Sequence, residues 1–152
     1  MKTLSTVIFC LISLTISAQK TEEIAIQKTI EAFFKGFHEQ DSLKIKQTVM
    51  PDVLMQTIAK DEAGKPLVKT EEFSKFLKSI VSIPETTKFE ELINDYSIQI
   101  DGPMANAWTP YTFNINNAFH HCGVNSFQLV KDDLKGWQII YIIDTRRTES
   151  CN

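Results

Sequence analysis

Two strand-like segments in the second half of the chain carry the side chains best suited to chemistry. Met104 to Asn114 presents Trp108, Tyr111 and Phe113, with Pro110 interrupting the run. A proline inside a strand implies an edge or a bulge, and bulges re-aim side chains at sites. The three aromatics are either a wall for a flat or apolar ligand, with the Tyr111 hydroxyl as a polar handle, or ordinary core. In the next segment His121, Gly123, Asn125, Phe127 and Leu129 share a face by strand alternation. Phe127 and Leu129 read as core, which turns His121 and Asn125 inward, where polar groups need partners. Gly123 between them lets a ligand or another backbone approach closely. His121 is a candidate general base near neutral pH; the competing reading is a hydrogen-bonded core network. Asp144, Arg146 and Arg147 close the last segment. Arg146 suits an anionic group held through two hydrogen bonds, and a structural ion pair at a sheet end is the alternative.

Other chemistry is less well served. His120, His121 and Cys122 are adjacent, and adjacent strand residues point to opposite faces, so they make a poor metal site. His38 sits at the polar end of the first helix and is expected to be solvated. No glycine-rich phosphate loop, serine nucleophile motif or CxxC is present. No metal or cofactor is expected, and whether the protein is an enzyme is left open.

The elements that must position these residues follow from periodicity. Ile26, Ile30, Phe33, Phe34 and Phe37 form one stripe of a helix over residues 21–40. Asp41-Ser42 can cap a short second helix to about Thr48, stopped by Pro51. Val53 to Ala59 reads as a strand, residues 61–65 as a turn, and Leu67-Val68 as a short partner strand. Thr70 suits the N-cap of a third helix with Glu71 and Glu72 in its first turn, carrying Phe73, Phe76, Leu77, Ile80 and Val81. Four long strands then follow: Lys88–Ile100, ending at the tight-turn pair Asp101-Gly102, Met104–Asn114, Phe119–Val130 and Trp137–Thr145. Segregated helices and antiparallel strands mean α+β. Three helices laid on the concave face of a curved antiparallel sheet leave a cone-shaped cavity, the default ligand site.

The N-terminus sets the compartment. Lys2, an apolar run from Val7 to Ile16 and small residues before Gln19 have the layout of a secretory signal peptide cut after Ala18. The run is too short for a membrane span of about 20 residues. The expected organisation is a signal peptide, 1–18, and a single domain, 19–152, secreted or periplasmic and free of the membrane after cleavage. Losing Lys2 moves the formal net charge from −3 to −4, and a mildly acidic chain with no basic run argues against nucleic acid or anionic membrane as a partner. Cys122 and Cys151 then remain as an even pair, which invites a disulfide in an oxidising compartment; two unpaired thiols are the alternative.

In the last strand Ile139, Tyr141 and Ile143 fall on one face and Ile140 and Ile142 on the other. A sheet with one wet face should alternate apolar with polar. Both faces therefore call for a cover, and a second copy of the sheet, giving a homodimer, competes with the C-terminal tail for the outer one.

The first helix IQKTIEAFFKGFHEQD, the third helix opening TEEFSKFL, and the strands DGPMANAWTPYTF and HHCGVNSFQLVKDDLKGWQIIYIIDTRR together resemble the nuclear transport factor 2-like superfamily. They are most similar to small exported bacterial members labelled lumazine-binding, although no flavin-specific motif is present. The resemblance implies the cone fold and its pocket, and fold alone does not name a function. It implies an Asp144–His121 dyad, because acid–base members pair a carboxylate with an imidazole. The expected function is binding of a small molecule by Trp108, Tyr111, Phe113, His121, Asn125 and Arg146. A cofactor-independent lyase or isomerase using His121 and Asp144, and a protein-interaction module using the sheet face, are the alternatives.

Overall fold

The computed structural model describes the backbone of residues 2–151 and the side chains of residues 19–151. The proposed signal peptide therefore lies outside the residues whose side chains are described. In chain order the elements are α1 (Lys2–His38), α2 (Ser42–Gln47), β1 (Val49–Lys60), β2 (Pro66–Glu71), α3 (Phe73–Val81), β3 (Phe89–Ile93), β4 (Ser97–Asp101), β5 (Met104–Ile115), β6 (Ala118–Asp132) and β7 (Gly136–Arg147). This is an α+β fold with an open curved sheet and helices preceding most of it. The sheet order is β2-β1-β7-β6-β5-β3, with β4 also on β5. Every pairing is antiparallel except β1 with β7, where the last strand slots in beside β1 and runs the same way.

Several boundaries differ from the sequence reading, each for a local reason. Asp41 caps α2 as expected, its carboxylate accepting the Leu43 and Lys44 amides at 3.0 and 3.1 Å. Pro51 does not stop the helix; α2 ends at Gln47, and Pro51 lies inside β1 where the ladder to β7 is irregular and needs no donor. Thr70 does not cap α3. Its hydroxyl accepts the Gln56 side-chain amide across the β1–β2 hairpin at 3.0 Å, β2 runs on to Glu71, and Glu72 takes the cap position without a side-chain bond to the helix.

The long strand expected over residues 88–100 is two strands, β3 and β4, side by side along β5. The break faces Pro110. That proline's carbonyl accepts the Asn94 amide at 2.8 Å, so its missing N–H also points toward the gap, where no partner goes unsatisfied. In β7 the register shifts by one residue at Ile140. Ile139 and Ile142 consequently share the core face, rather than opposite faces as strict alternation requires.

The core lies between the concave face and α1. Ile26, Ile30, Phe33 and Phe34 of α1 pack on Ala105, Ala107, Phe127, Leu129, Ile139 and Ile142, all buried. Each large aliphatic so buried contributes roughly 1.5–3 kcal/mol. α1 is also pinned polar-side: Glu22 accepts from Trp137 Nε1 at 2.9 Å and Lys131 Nζ at 2.8 Å. On the outer face Trp108, Met104, Leu54 and Leu92 stay exposed. The C-terminal tail does not cover them. It is tied at one end of the sheet, where Cys122 and Cys151 form the expected disulfide.

Candidate functional site

Strand register gathers the polar residues into neighbouring rows on the concave face. One row runs Thr109, Asn125, Asp144, Thr57 across β5, β6, β7 and β1. The next runs Ile93, Tyr111, Gly123, Arg146, and the last runs Glu91, Phe113, His121. Beyond Phe127 and Ile142 each strand thus exchanges apolar for polar side chains. A cavity of about 90 Å³ opens there, walled by Phe33, Phe34, Phe37 and Phe76 on the helix side and by Asn125, Asp144 and Arg146 on the sheet. A wider recess of about 570 Å³ shares Phe37, Phe76, Glu91, Asp144 and Arg146 with it and adds Phe113 and His121. That volume is within the range of small-molecule sites.

Asp144 is the hub of the site. One carboxylate oxygen accepts from the Thr57 hydroxyl, and the other accepts from Arg146 Nε at 2.7 Å. The Tyr111 hydroxyl donates to the Thr145 carbonyl at 3.0 Å and sits 3.5 Å from the same Asp144 oxygen. Burial, then the Glu91 and Asp144 charges, push the Tyr111 hydroxyl well above its ordinary pKa, so it stays protonated. For Arg146, burial opposes the charge most strongly, and the bond to Asp144 together with the charges of Asp144, Tyr111 and Glu91 outweighs it, raising the pKa. Gly123 makes this arrangement possible: a Cβ there would lie 1.8 Å from the Thr145 carbonyl oxygen and 2.7 Å from the Tyr111 hydroxyl. The close approach expected at Gly123 is thus to the protein's own backbone and to Tyr111.

Glu91 faces Asp144 across the cavity. Its Oε1 accepts from Asn125 Nδ2 at 2.7 Å, and its backbone N–H donates to His38 Nε2 at 2.9 Å. Burial chiefly, and the Asp144 charge in addition, raise the Glu91 carboxyl to about 7 despite the Asn125 bond. Its Oε2 makes no protein hydrogen bond, and no fully buried side-chain oxygen or nitrogen among the described residues is unpartnered, so this oxygen reaches the cavity. Two carboxyl groups thus line one hollow in different settings, Asp144 bonded to Arg146 and Glu91 raised toward neutral pH. A buried carboxyl raised toward neutral pH suits acid–base work.

The expected site residues separate accordingly. Tyr111, Phe113, His121, Asn125, Asp144 and Arg146 all lie at this end of the concave face. Trp108 does not: an odd number of residues from Tyr111, it points to the outer face and is 51% exposed. The Asp144–His121 dyad is not formed, because Thr57, Arg146 and Tyr111 occupy the carboxylate. His121 instead packs on the Phe113 ring at 4.7 Å, and burial followed by the Arg146 charge lowers it to about 4, so it is neutral at pH 7. A bulge at His120 places the two imidazoles together, Nδ1 to Nδ1 at 2.8 Å, where strict alternation would have parted them. His38 is half-buried against Phe34 rather than solvated, and burial lowers its pKa.

Sequence reasoning missed Glu91, Thr57 and the role of His38. A signal for Glu91 was present, because Phe89, Glu91 and Ile93 share a strand face and two of the three are plainly core residues. Thr57 had none, since its contact depends on the parallel β1–β7 pairing.

No protein-family profile matches the chain, and no curated protein matches it. Solved structures do. A nuclear transport factor 2-like superfamily protein from Salmonella enterica serovar Typhimurium is 16% identical with a TM-score of 0.66, covering 87% of this chain and 95% of its own. A protein of unknown function from Mycobacterium tuberculosis is 15% identical with a TM-score of 0.69, covering 87% and 75%. A protein from Streptomyces avermitilis proposed to be a dehydratase of the same family is 11% identical with a TM-score of 0.65, covering 85% and 98%. At these identities the likeness is one of architecture, and the fold of this chain is nuclear transport factor 2-like.

Proposed function

We propose that this is an exported protein that binds a small molecule in the cone cavity, apolar body against Phe33, Phe37 and Phe76 and polar end against Asn125, Glu91 and Arg146. The observation that carries the reading is the Glu91 oxygen left without a protein partner in a cavity whose helix side is walled by aromatic rings. Ligand-observed NMR against a library of small aromatic and aliphatic compounds tests it. Binders should compete for one site and be lost in Asn125→Phe, which fills the cavity. Binding that survives that substitution would place the ligand elsewhere.

A second reading is favoured by the raised Glu91 carboxyl in the cavity: a cofactor-independent lyase or isomerase in which Glu91, not His121, carries the proton. Its rate would show a limb near pH 7 that Glu91→Gln removes. The signal-peptide pattern at residues 1–18 and the Cys122–Cys151 bridge support export. The exposed Trp108, Met104, Leu54 and Leu92 support a homodimer formed through the outer sheet face, which sedimentation equilibrium would detect.

A further inference from the structure

We propose that the ligand class of this cavity is an organic cation, an ammonium group on a small aromatic or aliphatic body, with Glu91 as its counter-ion. The inference rests on the binding reading above and deepens it. Three carboxylates, Glu71, Glu91 and Asp144, line both recesses, against the single guanidinium of Arg146. That guanidinium is engaged: Nε is on Asp144 at 2.7 Å and Nη2 on the Thr57 hydroxyl at 3.4 Å. An incoming anion would therefore meet a positive charge already paired with Asp144, beside the Glu91 carboxyl. His121 is neutral at pH 7 and adds none.

The aromatic wall has matching chemistry. Phe76 lies parallel to Phe33 and to Phe37, at interplanar angles of 4° and 5° and centroid distances of 6.3 and 6.1 Å. Phe34 stands edge-on to both Phe33 and Phe37. Aromatic ring faces are electron-rich and attract cations. Phe37, Phe76, Phe89 and Phe113 line the wider recess beside Glu91, and aromatic rings next to a carboxyl suit an ammonium group.

Glu91 then has a specific part. The groups that face it are Asn125 and His121 from β6, Tyr111 from β5, Asp144 and Arg146 from β7, Glu71 from β2 and His38 from α1. None of them is a cation committed to Glu91. A bound ammonium supplies that partner, draws the carboxyl toward its ionised form and releases a proton on binding near neutral pH.

Isothermal titration of the oxidised protein with benzyltrimethylammonium, benzyl alcohol and phenylacetate tests the class. At pH 8 the cation should bind at least about ten-fold more tightly than the other two. Its affinity should fall about ten-fold from pH 8 to 6 as Glu91 takes up its proton. Glu91→Gln should lose both the preference and the pH dependence while still binding benzyl alcohol. The amide resembles the protonated carboxyl already present at pH 6, and a thermal melt checks its folding. Tighter binding of phenylacetate, or cation binding indifferent to pH and to Glu91, overturns the assignment. Benzyl alcohol binding without cation binding overturns the cation class and leaves the cavity reading standing. No binding by any of the three overturns both.

Discussion

The two ends of the concave face are built on the same strands and come out differently. Toward one end β5, β6 and β7 present Ala105, Ala107, Leu129, Phe127 and Ile139, all buried beneath α1, which Glu22 fastens to Trp137 and Lys131. Toward the other they present Thr109, Tyr111, Asn125, Gly123, Asp144 and Arg146, and α1 stands off from them over a cavity. The change takes place across a single row of the register. A hollow in this fold needs no separate element: it appears where the inward side chains become too polar or too small to fill the space under a helix that the other end holds in place.

The contrast is sharpest in stability. Leu129→Ala, in the filled end, should cost about 4 kcal/mol in urea denaturation, whereas Phe76→Ala, on the cavity wall, should cost about 2 kcal/mol. Equal costs would mean that the two ends are packed alike. Gly123→Ala should cost roughly 3 kcal/mol, at the upper end for overpacking, because the added methyl meets a backbone carbonyl that cannot swing away. If that variant melts like the parent, the Tyr111–Thr145 contact is not what shapes the open end.

Protonation gives a third handle. Glu91 binds its proton more tightly in the folded chain, at about 7 against a usual 4.5. The stability it lends is complete below pH 4.5 and is lost as pH rises to about 7. Glu91→Gln should therefore gain on the parent across that window, by at most about 3 kcal/mol above pH 7. His121 acts with the opposite sign: lowered to about 4, it favours the folded chain as pH rises from 4 to 6.5. The two oppose each other in the parent, so only the difference between variant and parent isolates Glu91. The smallest effect belongs to the outer face. Trp108→Ser should change monomer stability by less than about 0.5 kcal/mol and leave ligand binding intact, while weakening any self-association seen by sedimentation.

How much of this was legible follows the same divide. The stripe of Ile26, Ile30, Phe33 and Phe34 and the alternation through Asn125, Phe127 and Leu129 gave the fold class, the concave face and the inward turn of Asn125, because burial leaves a period in the sequence. The disulfide was legible as a possibility from the cysteine pair. Trp108 was misplaced by grouping residues 108, 111 and 113 without counting parity, an error that alternation itself corrects. The bulges at His120 and Ile140 left no trace, since one extra residue in a strand has no composition of its own, yet they decide where both imidazoles and Ile142 point. The partner of Asp144 was likewise hidden: Thr57 lies 87 residues away and reaches it only because β7 pairs in parallel with β1.

The binding reading and the ligand class both depend on Glu91 standing in the open end as a carboxyl with no ionic partner of its own. A carbon-13 NMR titration of its side-chain carboxyl in the ligand-free protein measures this without any ligand. The midpoint should fall near 7. A midpoint near the ordinary 4.5 would show Glu91 solvated or paired, and the open end would then hold no such carboxyl.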